Sequence, residues 1–65
     1  MSRAYYNEYD KYCAGWLRNL SAAGAAISVP NAATVPVEFE LQFDSETRNC
    51  IVAWRRLDRL GVKFK

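Results

Sequence analysis

The sequence contains no histidine, so the commonest general base near neutral pH and the commonest metal ligand are both missing. Its two cysteines, Cys13 and Cys50, cannot close a structural zinc site without further ligands. No apolar run is long enough to span a membrane, and residues 1–12 are polar and tyrosine-rich, unlike a signal peptide. These absences predict a cytoplasmic binding protein rather than an enzyme, with no cofactor, no metal and no membrane partner.

The chain has 65 residues, of which 51% are hydrophobic, enough for one small domain over residues 1–65. Its net charge of +2 is unevenly distributed. The stretch 38–46 carries four acids and no base, whereas the residues after it carry six bases against Asp58 alone. This asymmetry says more about partners than the total charge does.

Residues Val35–Phe43 alternate apolar and polar side chains over nine positions. Because a strand turns successive side chains to opposite faces, the pattern predicts a strand with one apolar face and one acidic face. Pro36 lacks an amide donor, so the start of this strand is expected either to lie at an edge or to have its amide side unpaired. Ile27–Val29 is a candidate short edge strand, and Val62–Lys65 a terminal strand whose lysines lie across from Glu38 and Glu40.

Two segments have apolar residues at helical spacing. Asn7 is a good N-cap, so a helix is predicted over Glu8–Ala23 that ends at Gly24, after a short arm over residues 1–6. A second helix is predicted over Glu46–Leu60. An alternative for the second segment is a hairpin with Asn49–Leu57 as a strand, because Cys-Ile-Val-Ala-Trp also suits a strand. The predicted fold is therefore α+β, in α-β-α-β order, with two amphipathic helices on one face of a two- or three-stranded sheet.

In this arrangement Cys13, Cys50, Trp16 and Trp54 lie on the apolar arcs of the two helices. We interpret the cysteines as buried core thiols rather than a redox pair, and the tryptophans as core rather than a binding platform. The sequence then leaves three candidate contact surfaces. They are the arginines of the second helix, the acidic strand face and a pair of tyrosines near the amino terminus: Arg48, Arg55, Arg56 and Arg59; Glu38 and Glu40; Tyr5 and Tyr6.

Each surface has a plainer interpretation. The arginines, with Arg48, Arg55 and Arg59 in one row, are suited to phosphates or to an acidic protein, yet they also fit a solvated helix face. The glutamates are either neutralised by Lys63 and Lys65 or open as an imitation of DNA phosphates. The tyrosines either anchor a partner or cover the end of the core.

The segment Ala4-Tyr5-Tyr6-Asn7-Glu8-Tyr9-Asp10, followed by Ala14, Trp16-Leu17-Arg18-Asn19-Leu20, Ala23-Gly24 and Ile27, resembles the N-terminal leader of phage and prophage cytosine-C5 DNA methyltransferases. The resemblance covers about a third of the chain. The glycine-rich cofactor loop and the Pro-Cys nucleophile motif of those enzymes are absent, so methyl transfer is not implied. What the resemblance implies is a small protein of phage origin that acts in a bacterial host cell.

Two functions follow as hypotheses. The first is a phage inhibitor of the anti-CRISPR type, which binds a CRISPR effector subunit and blocks its access to DNA, as a monomer or a homodimer. The second is a small nucleic-acid-binding accessory protein that uses the arginine-rich helix.

Overall fold

The computed structural model describes residues 2–65, which form a closed barrel of six antiparallel strands. The order of strands around the barrel is β1-β2-β3-β6-β5-β4, and β4 closes the barrel by pairing with β1. The strands are β1 Ser2–Glu8, β2 Lys11–Leu20, β3 Gly24–Ser28, β4 Glu38–Phe43, β5 Glu46–Arg56 and β6 Arg59–Phe64, with a short 3-10 turn at Ala32–Thr34 between β3 and β4.

The predicted α+β class with two helices is therefore wrong, because no α-helix occurs within residues 2–65. No helix in this described part of the chain is long and apolar enough to cross a membrane. Both segments with helical spacing are instead strands joined by two-residue turns. A barrel gives these strands partners on both sides, so their backbone hydrogen bonds are satisfied without a helix.

The helix predicted over Glu8–Ala23 is replaced by a hairpin of β1 and β2 that turns at Tyr9 and Asp10. Tyr9 supplies the positive φ of 59° that such a tight turn needs. The arm predicted over residues 1–6 is strand β1 from Ser2 onward, and Met1 lies outside the described residues. Side chains that helical spacing grouped together now alternate between the barrel interior and its surface.

The helix predicted over Glu46–Leu60 is likewise wrong. Strand β5 occupies most of that segment, as the alternative with a strand over Asn49–Leu57 proposed. The turn before it contains Asp44 and Ser45, both with positive φ, the arrangement of a type I′ hairpin. Arg56 then pairs with Arg59 across a second two-residue turn into β6.

The predicted main strand is confirmed in its second half. Phe39, Leu41 and Phe43 are buried along β4, whereas Val37 lies exposed in the loop before it. Strand β3 is not at an edge, since it pairs with both β2 and β6. Strand β5 lies between β4 and β6, so the terminal strand does not pair with the main strand as predicted.

The core fills the barrel interior with inward side chains from all six strands, as expected for a barrel this narrow. Tyr6 and Phe39 meet edge to face with ring centroids 6.1 Å apart, and Phe43 stacks on Phe64 at 6.2 Å. The loop between β3 and β4 covers one end of the barrel, where Val29 and Ala32 donate backbone hydrogen bonds to the β5–β6 turn. The largest fully buried side chains are Tyr6, Ile27, Val35, Leu41, Cys50 and Leu60.

Candidate functional site

Four neighbouring strands, β2, β3, β6 and β5, present a continuous outer face. Their register places Asn19 opposite Ala26, Ala26 opposite Gly61, and Gly61 opposite Trp54. Because paired residues of adjacent strands point to the same side of a sheet, these four positions form one outward row. A polar side chain therefore stands at one end, an aromatic ring at the other, and two small residues between them.

This row forms the floor and sides of a surface groove of about 380 Å³, which we call the tryptophan groove. Gly24 and Lys63 pair with each other on β3 and β6 and extend the groove toward the β2–β3 turn, where Ser21 also lines it. The volume lies within the range of small-molecule sites. The groove is therefore large enough for a ligand that combines a ring with polar groups.

Trp54 is held in place by the glycine opposite it. A Cβ at Gly61 would overlap the indole of Trp54, so the ring lies directly against the backbone of β6. Trp54 remains 44% exposed, so its ring is accessible from solvent. A large aromatic side chain that covers a strand glycine stabilises the sheet and presents a flat surface to a ligand.

Two irregularities in pairing border the groove. The register shifts between Leu17 and Asn19 on β2, and between Val52 and Trp54 on β5. Each shift is a β-bulge, which bends its strand and changes the direction of the side chains that follow. The two bulges thus orient Asn19 and Trp54, the residues at the two ends of the groove row.

A second outward row runs next to the first and is basic. Its consecutive partners are Arg3 with Trp16, Trp16 with Ser28, Ser28 with Arg59, and Arg59 with Arg56. We call these five residues the arginine row. The Arg3 guanidinium lies 4.2 Å from the centroid of the Trp16 ring, and the Arg56 guanidinium lies 6.0 Å from that of Trp54. Both are cation–π distances, so an arginine accompanies each exposed tryptophan.

The charges of the chain are separated between the two sides of the barrel. Of the seven acids, Asp58 alone lies beside the arginine row, in the β5–β6 turn. The remaining six lie on β1 or β4 or next to their hairpin turns: Glu8, Asp10, Glu38, Glu40, Asp44 and Glu46. The outer face of β2, β3, β6 and β5 is therefore the side that attracts anions.

The four predicted arginines do not form one surface. Arg48 and Arg55 lie at opposite ends of the barrel, where Arg48 covers the Phe64 ring at 4.2 Å and Arg55 donates a hydrogen bond to the carbonyl of Ala32. Arg56 and Arg59 do lie together, in the arginine row. The predicted alignment of Arg48, Arg55 and Arg59 is wrong because it assumed a helix.

The predicted acidic face is partly neutralised. The Nζ of Lys65 lies 3.2 Å from an Oε of Glu38, although β5 lies between their strands, and Lys63 lies away in the tryptophan groove. Glu40 is half-buried and its backbone amide donates to the Asn7 side chain at 2.6 Å. Glu38 and Glu40 line a separate groove of about 420 Å³ on this side of the barrel.

Tyr5 and Tyr6 are separated by the alternation of β1. Tyr5 is about half exposed and points outward, whereas Tyr6 is 2% exposed and belongs to the core. Burial, with smaller contributions from the nearby Cys13 and Glu8, raises the pKa of Tyr6 to about 12. Tyr6 is therefore a core residue and not part of a contact surface.

The prediction of buried core thiols is confirmed for Cys50, whereas Cys13 is only partly buried against the core. Cys50 is fully buried, and burial raises the pKa of its thiol to about 11 despite the opposing effect of Arg48. Cys13 is half-buried, and both are free thiols. Within residues 2–65 no group of three or more Cys, Asp or Glu side chains is arranged to hold a metal ion. The buried Cys50 therefore lacks the exposed setting of a nucleophilic thiol.

Trp16 and Trp54 were predicted to lie in the core, and this prediction is wrong. Both are exposed by more than two fifths of their surface. Asn19 and Gly61 were not predicted as site residues, and Lys63 was predicted only as a partner of Glu38 and Glu40. Had the segments been interpreted as strands, period-two alternation would have placed both tryptophans on the surface.

No protein-family model, curated protein or solved structure matches this chain. Function must therefore be argued from the groove and the arginine row themselves.

Proposed function

We propose that this protein is a binding module for ligands that carry an aromatic base next to a phosphate, which is the chemistry of nucleotides and of single-stranded nucleic acid. The observation that carries the proposal is the row Asn19–Ala26–Gly61–Trp54. This row combines the Trp54 ring for stacking, a flat floor and the Asn19 amide for hydrogen bonding. Basic side chains lie alongside it. Nucleic-acid binding was also a hypothesis from the sequence, but the binding site now lies on an outer sheet face rather than on an arginine-rich helix.

The first step of recognition is stacking on Trp54. One face of the indole is covered by Gly61, so a base approaches the opposite face. On the floor, Ala26 has only a methyl group and leaves room for a flat ring beside Trp54. Stacking of a base on an aromatic side chain is worth about 1–3 kcal/mol and tolerates any base.

The second step is charge neutralisation of the phosphate. Lys63 lines one side of the groove, and Arg56 and Arg59 bound a smaller depression that also contacts Trp54. These three cations lie on both flanks of the ring. Guanidinium groups bind phosphate with paired hydrogen bonds, so the two arginines suit a phosphate attached to the stacked base.

The test is a titration of the protein with a nucleoside monophosphate, a single-stranded oligonucleotide and inorganic phosphate, followed by tryptophan fluorescence. We expect the first two to quench fluorescence and phosphate alone to have little effect. Trp54→Ala removes the reporter ring, so its affinity is measured by calorimetry, and it should bind about tenfold more weakly or worse. Tyr12→Ala, which removes an exposed aromatic ring on β2, away from the groove row, is the matched control. Equal affinity for the mononucleotide and the oligonucleotide would identify a nucleotide as ligand, and failure of both to bind would end the proposal.

A second candidate remains the inhibitor of a CRISPR effector that the phage-like leader suggested. The separation of the six acids onto the β1 and β4 side favours it, since such a side resembles the charge of DNA. The test is DNA cleavage by CRISPR effectors with the protein in excess. We expect Glu40→Lys to relieve any inhibition, and full cleavage by every effector tested would contradict the hypothesis.

A further inference from the structure

A second, smaller cavity lies at the other end of the arginine row. It measures about 210 Å³ and is bordered by Trp16, Ser28, Pro30 and Asp58. The Trp16 ring is 43% exposed and carries the Arg3 guanidinium above it. This end of the outer face therefore repeats the combination of ring and arginine that Trp54 and Arg56 provide at the first end.

The distance between the two tryptophans sets the size of a ligand that contacts both. Trp16 lies on β2 and Trp54 on β5, with β3 and β6 between them. Three strand spacings of about 4.8 Å, and a further two residues along the strands because Trp54 lies in the neighbouring row, separate the backbones at the two tryptophans by roughly 16 Å along the sheet. One base cannot contact both rings across that distance, so a ligand that contacts both must carry at least two bases.

The charges along this path distinguish places for bases from places for phosphates. Arg59 points outward from β6, between the two tryptophans. Asp58 borders the smaller cavity, where its carboxylate repels a phosphate and can accept a hydrogen bond from the amino group of a base. The cavity at Trp16 therefore suits a base, and the centre of the arginine row suits the backbone that connects two bases.

We infer that the protein binds a single strand of nucleic acid laid across β5, β6, β3 and β2, with one base on Trp54, another on Trp16 and the connecting phosphates on Arg59. The inference rests on the proposed function and adds to it the path that the ligand follows across the four strands. A mononucleotide would occupy the Trp54 end alone.

The chain allows each end to be observed separately, because Trp16 and Trp54 are its two tryptophans. The variant Trp16→Phe leaves Trp54 as the fluorescent reporter, and Trp54→Phe leaves Trp16; phenylalanine keeps an aromatic surface at the replaced position. The probes are cytidine monophosphate and an oligodeoxycytidylate of about six nucleotides. We expect the mononucleotide to change the signal of Trp54 alone, and the oligonucleotide to change both and bind at least about tenfold more tightly.

Charge variants provide a second readout. Arg59→Ala should lower the affinity for the oligonucleotide and make that affinity less dependent on salt concentration, because a single strand releases about 0.7 counterion for each phosphate neutralised. The affinity for the mononucleotide should fall less. If the oligonucleotide changes Trp54 alone and binds no more tightly than the mononucleotide, the path is overturned while the proposed function stands. If neither probe changes Trp54, the proposed function fails and this inference fails with it.

Discussion

The two sides of this barrel differ in charge and in how they are joined. On one side, β3 and β6 are paired through five residue positions, and their outer face is basic and carries both exposed tryptophans. On the other side, β1 and β4 are paired at two positions, Tyr5 with Gln42 and Tyr6 with Leu41, and the surface is acidic. We call this second junction the seam. The difference indicates that the binding side is rigid through its backbone, whereas the seam depends on side chains.

Two interactions supplement the short pairing at the seam. Tyr6 packs against Phe39 inside the barrel, and the Asn7 side chain accepts a hydrogen bond from the Glu40 amide. The interior contact removes apolar surface from water, and the amide contact satisfies a donor that the β1–β4 ladder leaves free. If the comparison is right, changes at these residues should affect closure of the barrel more than changes on the surface beside them.

The largest effect is expected for Tyr6→Ala. Loss of a buried aromatic ring costs about 3–5 kcal/mol, and a domain of this size has a total unfolding free energy of roughly 3–10 kcal/mol. The variant should therefore be largely unfolded or close to it in a urea titration followed by circular dichroism. Tyr5→Ala, next in the chain but pointing outward, should change the free energy of unfolding by less than about 1 kcal/mol. Equal losses in the two variants would contradict the role of Tyr6 at the seam.

The second effect is a loss of stability at high pH. Burial raises the pKa of Cys50 from 9.0 to about 11 and that of Tyr6 from 10.0 to about 12. Each group keeps its proton in the folded state at pH values where the unfolded chain has already lost it. The unfolding free energy therefore has its maximum contribution from these groups below pH 9 and falls as pH rises toward 12. Tyr6→Phe should retain the ring and remove the part of this loss between about pH 10 and 12. The measurement is the urea midpoint at several pH values, and an unchanged pH dependence would show that Tyr6 does not contribute.

How much of the fold and of the candidate site could be predicted from the sequence depends on which face of the barrel wall a residue occupies. Phe39, Leu41 and Phe43 alternate with polar residues, and no helix accommodates that period, so β4 was identified. On β2, Trp16 and Leu17 are both apolar although one points out and the other in. Exposed aromatic residues of the candidate site thus completed a false helical pattern. The residues that suit ligand binding were the ones that misled the fold prediction.

The sequences of the turns did not predict the hairpins. Tight hairpin turns usually contain Asn-Gly or Asp-Gly, because their central residues need positive φ. Here the positive φ values belong to Tyr9, Asp44 and Ser45. Without glycine at these positions the sequence showed no break between β1 and β2 or between β4 and β5. The groove could not be predicted either, since the pairing of Gly61 with Trp54 depends on the register of strands and on a bulge.

A smaller effect is expected at the edge of the seam for Asn7→Ala. The substitution leaves the Glu40 amide without its acceptor, which should lower the unfolding free energy by about 1–2 kcal/mol. Hydrogen exchange should accelerate at the Glu40 amide, with little change between β3 and β6. The matched control is Asn49→Ala, because Asn49 pairs with Glu40 from β5 and uses its backbone carbonyl for Lys65. Faster exchange throughout the barrel would mean that the seam is not a separate weak point.

The smallest effect is expected for the ion pair between Lys65 and Glu38 on the acidic side. The two groups lie 3.2 Å apart, but each side chain is about half exposed, so water and salt screen their attraction. A double-mutant cycle with Lys65→Met and Glu38→Gln should give a coupling energy of about 0.2–1 kcal/mol that disappears at high salt. The same variants should leave nucleotide binding unchanged, because the pair lies away from the tryptophan groove. A coupling well above this range, or a change in nucleotide affinity, would show that the two sides of the barrel are not independent.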